Sequence, residues 1–379
     1  MKARVSAVGL TKFGKRSETL SDLLSEAGER ALESLGRKSI DHLFVGAMAS
    51  GSLAHVESLT ARLADRLGLV EPASGYRVEA ASATGAAVFH AAVAAVAAGH
   101  SERALVLAGE KMSGLGTAEV TRILAQSLAP AEELVGATMP ALAAIIGQRY
   151  LDKHGLTADV FDAVSVQFRA SAAQNPFAQF PTPVRREEVA QSRPVALPLR
   201  LLHCAAISDG AVAAVVERSH GPVEVLGIGE GFDSLAVVDR PELTSFRATR
   251  VAAQRAYEMA HLTRKEVSVV ELHDAFAPFA LIDFEDLGFV GVGEAPGWFE
   301  QGWTAPGGRL PVNPSGGILG RGHPVGASGL AAIVALVQQI DGSAGPLSIA
   351  KPPRVGLAQS IGGMASHNFV TLLGRAEAA

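Results

Sequence analysis

Asn313-Pro314-Ser315-Gly316-Gly317-Ile318-Leu319-Gly320-Arg321-Gly322-His323-Pro324-Val325-Gly326-Ala327-Ser328-Gly329 gathers glycines around a single imidazole, directly ahead of an apolar run that continues to Gln339. Glycine loses more conformational freedom on folding than any other residue, so this density implies a backbone geometry that side chains would obstruct. The run from Val325 to Gln339 repeats its apolar residues at helical spacing. His323 is therefore expected at a helix start, where unpaired backbone N–H groups can meet developing negative charge.

Three other loops have the same character. In Glu79-Ala80-Ala81-Ser82-Ala83-Thr84-Gly85, Ser82 stands at the mouth of a helix-like run with small neighbours that leave room for a ligand. A helix N-cap explains the same serine. Glu271-Leu272-His273-Asp274-Ala275-Phe276 places a His-Asp pair at the end of an apolar strand, either as active groups or as a satisfied structural pair. Ser360-Ile361-Gly362-Gly363 puts a Gly-Gly turn inside an apolar strand pair, which a bulge or tight hairpin also accounts for.

Outward from these loops the chain alternates. Strand-like segments at 5–10, 43–47, 77–81 and 104–109 are interleaved with helical patterns at 21–35, 59–67 and 84–98, which predicts a layered α/β architecture. Between Gly114 and Leu202 this rhythm breaks into helical segments at 139–154 and 158–173 and the extended, proline-rich 175–183, as expected of an inserted lobe. Strands and helices then return in the earlier order, so the two halves read as repeats of one motif. The expected division is a first half at 1–113, an inserted cap at 114–205 and a second half at 206–379.

A net charge of −5 over 379 residues argues against a protein built to coat nucleic acid. The most apolar stretches are short and mostly alanine, so no membrane span is expected. The opening Met1-Lys2-Ala3-Arg4-Val5 lacks the apolar core of a secretion signal, and a cytoplasmic location is the default expectation. A single cysteine, Cys204, excludes an internal disulfide and any multi-cysteine zinc site, and no metal site is expected. Its apolar surroundings mark it as a packing residue.

Gly322 to Gly329, with Asn313 and the Gly362-Gly363 pair, resembles the C-terminal signature of the thiolase superfamily. His273-Asp274-Ala275-Phe276 is similar to the His-Asp-x-Phe box of its sterol-carrier-protein-2-type branch, where most other thiolases have Asn-Glu-x-Phe. Further matches extend the likeness over essentially the whole chain: Thr11 to Arg16, Gly109-Glu110-Lys111-Met112, Asn175-Pro176, Pro198-Leu199 and Ser208-Asp209-Gly210-Ala211. The resemblance implies the thiolase fold, two similar βαβαβαββ halves in a five-layered α-β-α-β-α sandwich with an inserted cap lobe. It also implies homodimeric or homotetrameric assembly and an acyl-CoA thioester as substrate, with no permanently bound cofactor. In many relatives of this branch a small zinc-ribbon/OB-fold protein is the partner. By analogy the CoA nucleotide would lie at the cap and the stretch Arg240 to Arg250, with Ser245, Arg247, Gly322 and Gly363 as binding residues. A solvated helix face explains those arginines equally well. Phe177 to Phe180 and Trp298-Phe299 are expected to close over the acyl group.

Two positions depart from the family. Its nucleophilic cysteine, in Ala-Cys-Ala-[Ser/Thr]-Gly, falls on Ser82, and its proton-shuttling cysteine, in Cys-x-Gly-Gly, falls on Ser360. A cysteine thiol starts near a pKa of about 8.5. If water's value of about 15.7 stands in for a serine hydroxyl, the missing driving force is on the order of 10 kcal/mol. Ordinary thiolysis should be slow. Three functions follow as expectations. The first is acyl transfer through Ser82, with His323 as its base and His273 stabilising the oxyanion. The second is retro-aldol cleavage of a β-hydroxyacyl-CoA by the two histidines, although aldol-type relatives carry tyrosines at those two places and this chain has no tyrosine after Tyr257. The third is a non-catalytic acyl-CoA-binding subunit of a complex.

Overall fold

The computed structural model describes residues 3–36, 39–69 and 74–377. The first half supplies β1 (Arg4–Leu10), β2 (His42–Gly46), β3 (Ser74–Val78), β4 (Arg103–Glu110) and β5 (Gly210–Glu217). The second supplies β6 (Val223–Phe232), β7 (Val269–Glu271), β8 (Val355–Gly362) and β9 (His367–Arg375). Strand order is β3-β2-β4-β5-β1 in one half and β7-β8-β9-β6 in the other. A lone parallel bridge from Val270 to Val312 stands where the second half would carry the counterpart of β3. In each half the last strand runs antiparallel between two neighbours, so the halves repeat one plan. They meet where β1 pairs with β6 over Arg4 with Glu224 and Val5 with Val223.

One expected boundary moves. The segment Gly210–Glu217, read as opening the second half, pairs along its whole length with β4 and β1 and closes the first sheet. Its β-branched pattern marks a strand but carries no information about which distant strand it joins.

Nine helices place the layers around these sheets: α1 (Leu20–Ser34), α2 (Leu59–Arg66), α3 (Thr84–Ala97), α4 (Thr117–Ala125), α5 (Met139–His154), α6 (Val160–Ala172), α7 (Arg247–Ala260), α8 (Ala277–Asp286) and α9 (Ser328–Asp341), beside shorter turns among the described residues. Alternation along β4 decides which faces are covered. Leu105 and Leu107 pack with α1 and α2 on one side, whereas Ala104, Val106 and Ala108 pack with α3 and α9 on the other. The same central cluster takes in Ala358 of β8 and Phe369 and Leu373 of β9, so α3 and α9 form one helical layer shared by both sheets. Helices α7 and α8 cover the outer face of the second sheet. This gives the expected five layers. The excursion between β4 and β5 packs α5 and α6 onto α8, burying Ile146, Tyr150, Phe161 and Phe168 with Phe279 and Phe284.

Candidate active site

The two helices of the shared layer begin side by side. A Cβ on Gly85 would lie 2.5 Å from the backbone N of Leu330, and one on Gly329 would lie 2.7 Å from the N of Ala86. Only glycine at both positions lets the starts of α3 and α9 cross at backbone contact. Ser82 precedes one start and His323 the other.

The Ser82 loop is bent by Ala81 at φ 48° and pinned by Thr84, whose Oγ1 accepts from Ala80 N (2.9 Å) and donates to Ala81 O (2.6 Å). The residue preceding α3 is Ala83, and no side chain caps that helix. Ser82 is thus not an N-cap. Its hydroxyl makes no hydrogen bond to any described residue and borders a cavity of about 270 Å³.

His323 is held by two contacts, one of them relayed onward. Its backbone N donates to Ser208 Oγ (2.9 Å), its Nδ1 lies 2.8 Å from Ser328 Oγ, and that hydroxyl donates to Pro324 O (3.0 Å). A hydroxyl has one proton, so Ser328 accepts from Nδ1–H and the unprotonated Nε2 is left for the cavity. The required φ of 108° at Gly322 turns the chain into this position, and a Cβ there would strike Gln179 Oε1 and Ser208 Oγ, each at 2.7 Å. His273 meets His323 edge to face, with ring centroids 5.3 Å apart and an interplanar angle of 83°. Burial, followed by the neighbouring charge of Arg321, pushes His323 down to about 3. Burial also holds His273 well below the usual histidine range, aided by His323 and Arg321. Both imidazoles are neutral at ordinary pH, one offering a lone pair and the other free to offer an N–H.

Beneath the rings lies a buried polar frame. Asp274 accepts from Ile318 N (2.7 Å), Leu319 N (3.0 Å) and Asn313 Nδ2 (3.0 Å), and Asn313 Oδ1 accepts from Leu272 N (2.6 Å). Glu271 accepts from Ser315 N and Oγ, at 3.0 and 2.7 Å. Burial pushes Asp274 up to about 6 and Glu271 up to about 7. The Asp of the His-Asp pair therefore ties two loops together and does not reach the cavity. Distant motif pieces serve as latches in the same way: Asp209 accepts from Arg16 N, Lys111 Nζ, Met112 N and Ser113 N, and Asn175 Nδ2 donates to Ser315 O (2.8 Å).

The remaining cavity wall is mostly apolar, formed by Val120, Leu124, Met139 and Leu201 from the inserted lobe and by Phe276 and Phe279 from the second half. Several expected site residues lie elsewhere. Ser360 is buried, its hydroxyl has no partner among the described residues, and it sits against Gly329 behind the lining. Successive residues of β8 point to opposite faces, so Ile361 lines the cavity while Ser360 faces the helical layer. Gly363, in the tight turn between β8 and β9, does line it. Ser245 donates to Asp286 Oδ1 (2.6 Å), Arg247 is exposed and donates to Phe232 O (3.0 Å), and neither borders the cavity. Arg240 is buried and spends its guanidinium on Ser234 O and Met364 O, which removes it from phosphate binding. Phe177 and Phe180 are not lining residues either, Phe180 lying under the guanidinium of Arg169. Trp298 meets Phe284 and Trp303 edge to face, and Phe299 meets Phe168 and Phe284 in the same way, away from the cavity.

Cys204, read as a packing residue, borders the cavity, but burial pushes its thiol up to about 12 and its Sγ donates to Arg200 O (3.4 Å). It is no ready thiolate. Arg193 also borders the cavity, and no sequence pattern singled it out. Among the described residues no helix is long and apolar enough to cross a membrane, and no cluster of three or more metal-binding side chains occurs.

Comparison with known proteins follows the same division into halves. The family described as "Thiolase, N-terminal domain" matches residues 2–219 and "Thiolase C-terminal domain-like" matches residues 229–375. An acetyl-CoA acetyltransferase of Methanothermobacter thermautotrophicus is 36% identical over 98% of this chain and 99% of its own length. The benzoylsuccinyl-CoA thiolase subunit BbsB of Thauera aromatica is 35% identical over 96% of this chain and 95% of its own. Among solved structures, an Ltp2-ChsH2(DUF35) aldolase is similar with a TM-score of 0.85 and 26% identity, over 99% of this chain and 98% of that one.

Proposed function

Since the chain belongs to the thiolase family, we propose that it acts on acyl-CoA thioesters by breaking or making the Cα–Cβ bond of the acyl group through an enolate, without a covalent acyl-enzyme. The observation that carries this reading is the pair of neutral imidazoles in edge-to-face contact, one with a bare Nε2, in an apolar cavity whose only thiol is held protonated. With a β-hydroxyacyl-CoA, His323 Nε2 takes the hydroxyl proton and the Cα–Cβ bond breaks. Its electron pair passes into an enolate whose oxygen accepts from the His273 N–H, and an aldehyde or ketone leaves. The proton held on His323 then returns to Cα, giving the shortened acyl-CoA. No co-reactant is consumed. The aldolase of similar fold supports this direction.

Two observations weigh against Claisen chemistry of the usual thiolase kind. Ser360 is walled off from the cavity, and Ser82 has no base in hydrogen-bond contact. A second reading, acyl transfer through Ser82, is favoured by that hydroxyl's free position on the cavity wall ahead of α3. The test is incubation of the purified chain with a β-hydroxyacyl-CoA and free CoA, following carbonyl product and mapping peptides by mass. Carbonyl release independent of free CoA is the expected result. An acyl adduct on Ser82 under turnover would instead establish the second reading. The names of two relatives, one a subunit and one a two-protein aldolase, support a partner protein for this chain as well, which co-purification from the native host would detect.

A further inference from the structure

Among the described residues lining the cavity, Arg193 is the one that carries a permanent charge: no described Asp, Glu or Lys borders it, and both histidines are neutral. Its backbone is fixed. Leu201 N donates to Arg193 O (2.8 Å), the next residue, Pro194, pairs with Arg200 in a small hairpin, and Arg200 Nη1 donates to Ser192 O (3.0 Å). Its side chain is exposed and, among the described residues, has no hydrogen bond or ion pair. Nearby arginines are engaged: Arg186 pairs with Glu300 at 2.7 Å and Arg185 with Glu188 at 3.3 Å. The hairpin therefore presents one uncompensated guanidinium at the exposed edge of a mostly apolar chamber. Guanidinium is weakly hydrated, and its planar fork of donors matches the oxygens of carboxylate or phosphate. A substrate anion brought to the mouth of an apolar cavity loses water and needs such a partner.

We infer that Arg193 is the anion-recognition point of this cavity, its guanidinium gripping an oxyanionic group carried by the thioester substrate. The inference rests on the reading that the cavity takes acyl-CoA. Two parts of such a substrate offer that chemistry, the phosphates of CoA and a second carboxylate on the acyl group.

Calorimetric titration of the full chain with acetyl-CoA, succinyl-CoA, S-acetylpantetheine and S-succinylpantetheine separates them, because the pantetheine thioesters lack phosphate and the acetyl thioesters lack the second carboxylate. Arg193→Gln should weaken binding of the recognised class roughly tenfold to a hundredfold, and Arg193→Lys should recover part of it. A loss confined to the two CoA probes assigns the phosphate, and a loss confined to the two succinyl probes assigns the carboxylate. Unchanged binding of all four probes by Arg193→Gln overturns the inference while leaving the thioester reading intact. If the unaltered chain binds none of them, both fall together.

Discussion

At the scale of single residues, His323 and Glu110 make opposite predictions about pH. The base proposed here is already neutral, because burial and Arg321 hold His323 down at about 3. No loss of rate from its protonation is expected between about pH 5 and about pH 8, and His323→Ala should lower turnover of a β-hydroxyacyl-CoA by roughly two to four orders of magnitude. A pH–rate profile with a histidine-like limb near 6.5 would contradict the assignment. Glu110 is the reverse case. Its carboxylate accepts from Met48 N (2.7 Å) and Ala49 N (3.4 Å), and burial pushes it up to about 7 from its ordinary 4.5. Between those values the folded chain holds a proton that the unfolded chain has released, so this group makes stability fall as pH rises through the window. Thermal melts should show a smaller change between about pH 5 and about pH 8 in Glu110→Gln than in the unaltered chain.

At the scale of elements, the frame beneath the imidazoles is the part most open to a structural test. Asp274→Ala would leave Ile318 N and Leu319 N without their acceptor in a buried site, and Asn313 Nδ2 with Leu272 O alone. Each such orphaned group costs about 1 to 3 kcal/mol, so the loss in chemical denaturation should exceed that of a surface substitution several-fold. Gly322→Ala, at φ 108° against Gln179 and Ser208, should disturb the His323 loop and reduce activity more than stability. The loops bearing Ser82 and His323 were legible in the sequence because glycine and small residues cluster there for a backbone reason, and that of His273 because a His-Asp pair ends an apolar strand. The withdrawal of Ser360 was not, since it depends on which face of β8 an even-numbered residue takes. Nor was the burial of Arg240, whose partners are backbone carbonyls of Ser234 and Met364 and leave no trace in side-chain pattern. Arg193 escaped notice because an exposed arginine in a hairpin acquires meaning only when the cavity beside it is seen.

At the scale of the whole molecule, the fold class and the repeat of the two halves could be read from alternating strand and helix patterns. The true junction between halves could not, because β5 declares its membership only by pairing with β1 and β4 across long stretches of chain. The shared layer of α3 and α9 should make the halves unfold as one unit. Tryptophan fluorescence, reporting Trp298 and Trp303 in the second half, and far-ultraviolet circular dichroism are expected to give coincident transitions. Leu330→Ala, at the centre of that layer, should cost about 2 to 5 kcal/mol and shift both signals together.

The glycine contact between α3 and α9 has an electrostatic consequence as well. Each helix carries a macrodipole whose leading end amounts to roughly half a positive elementary charge, and Gly85 and Gly329 bring two such ends to one spot beside Ser82 and His323. Because no titrating group supplies it, this attraction for a nascent enolate persists across the pH range in which the protein stays folded.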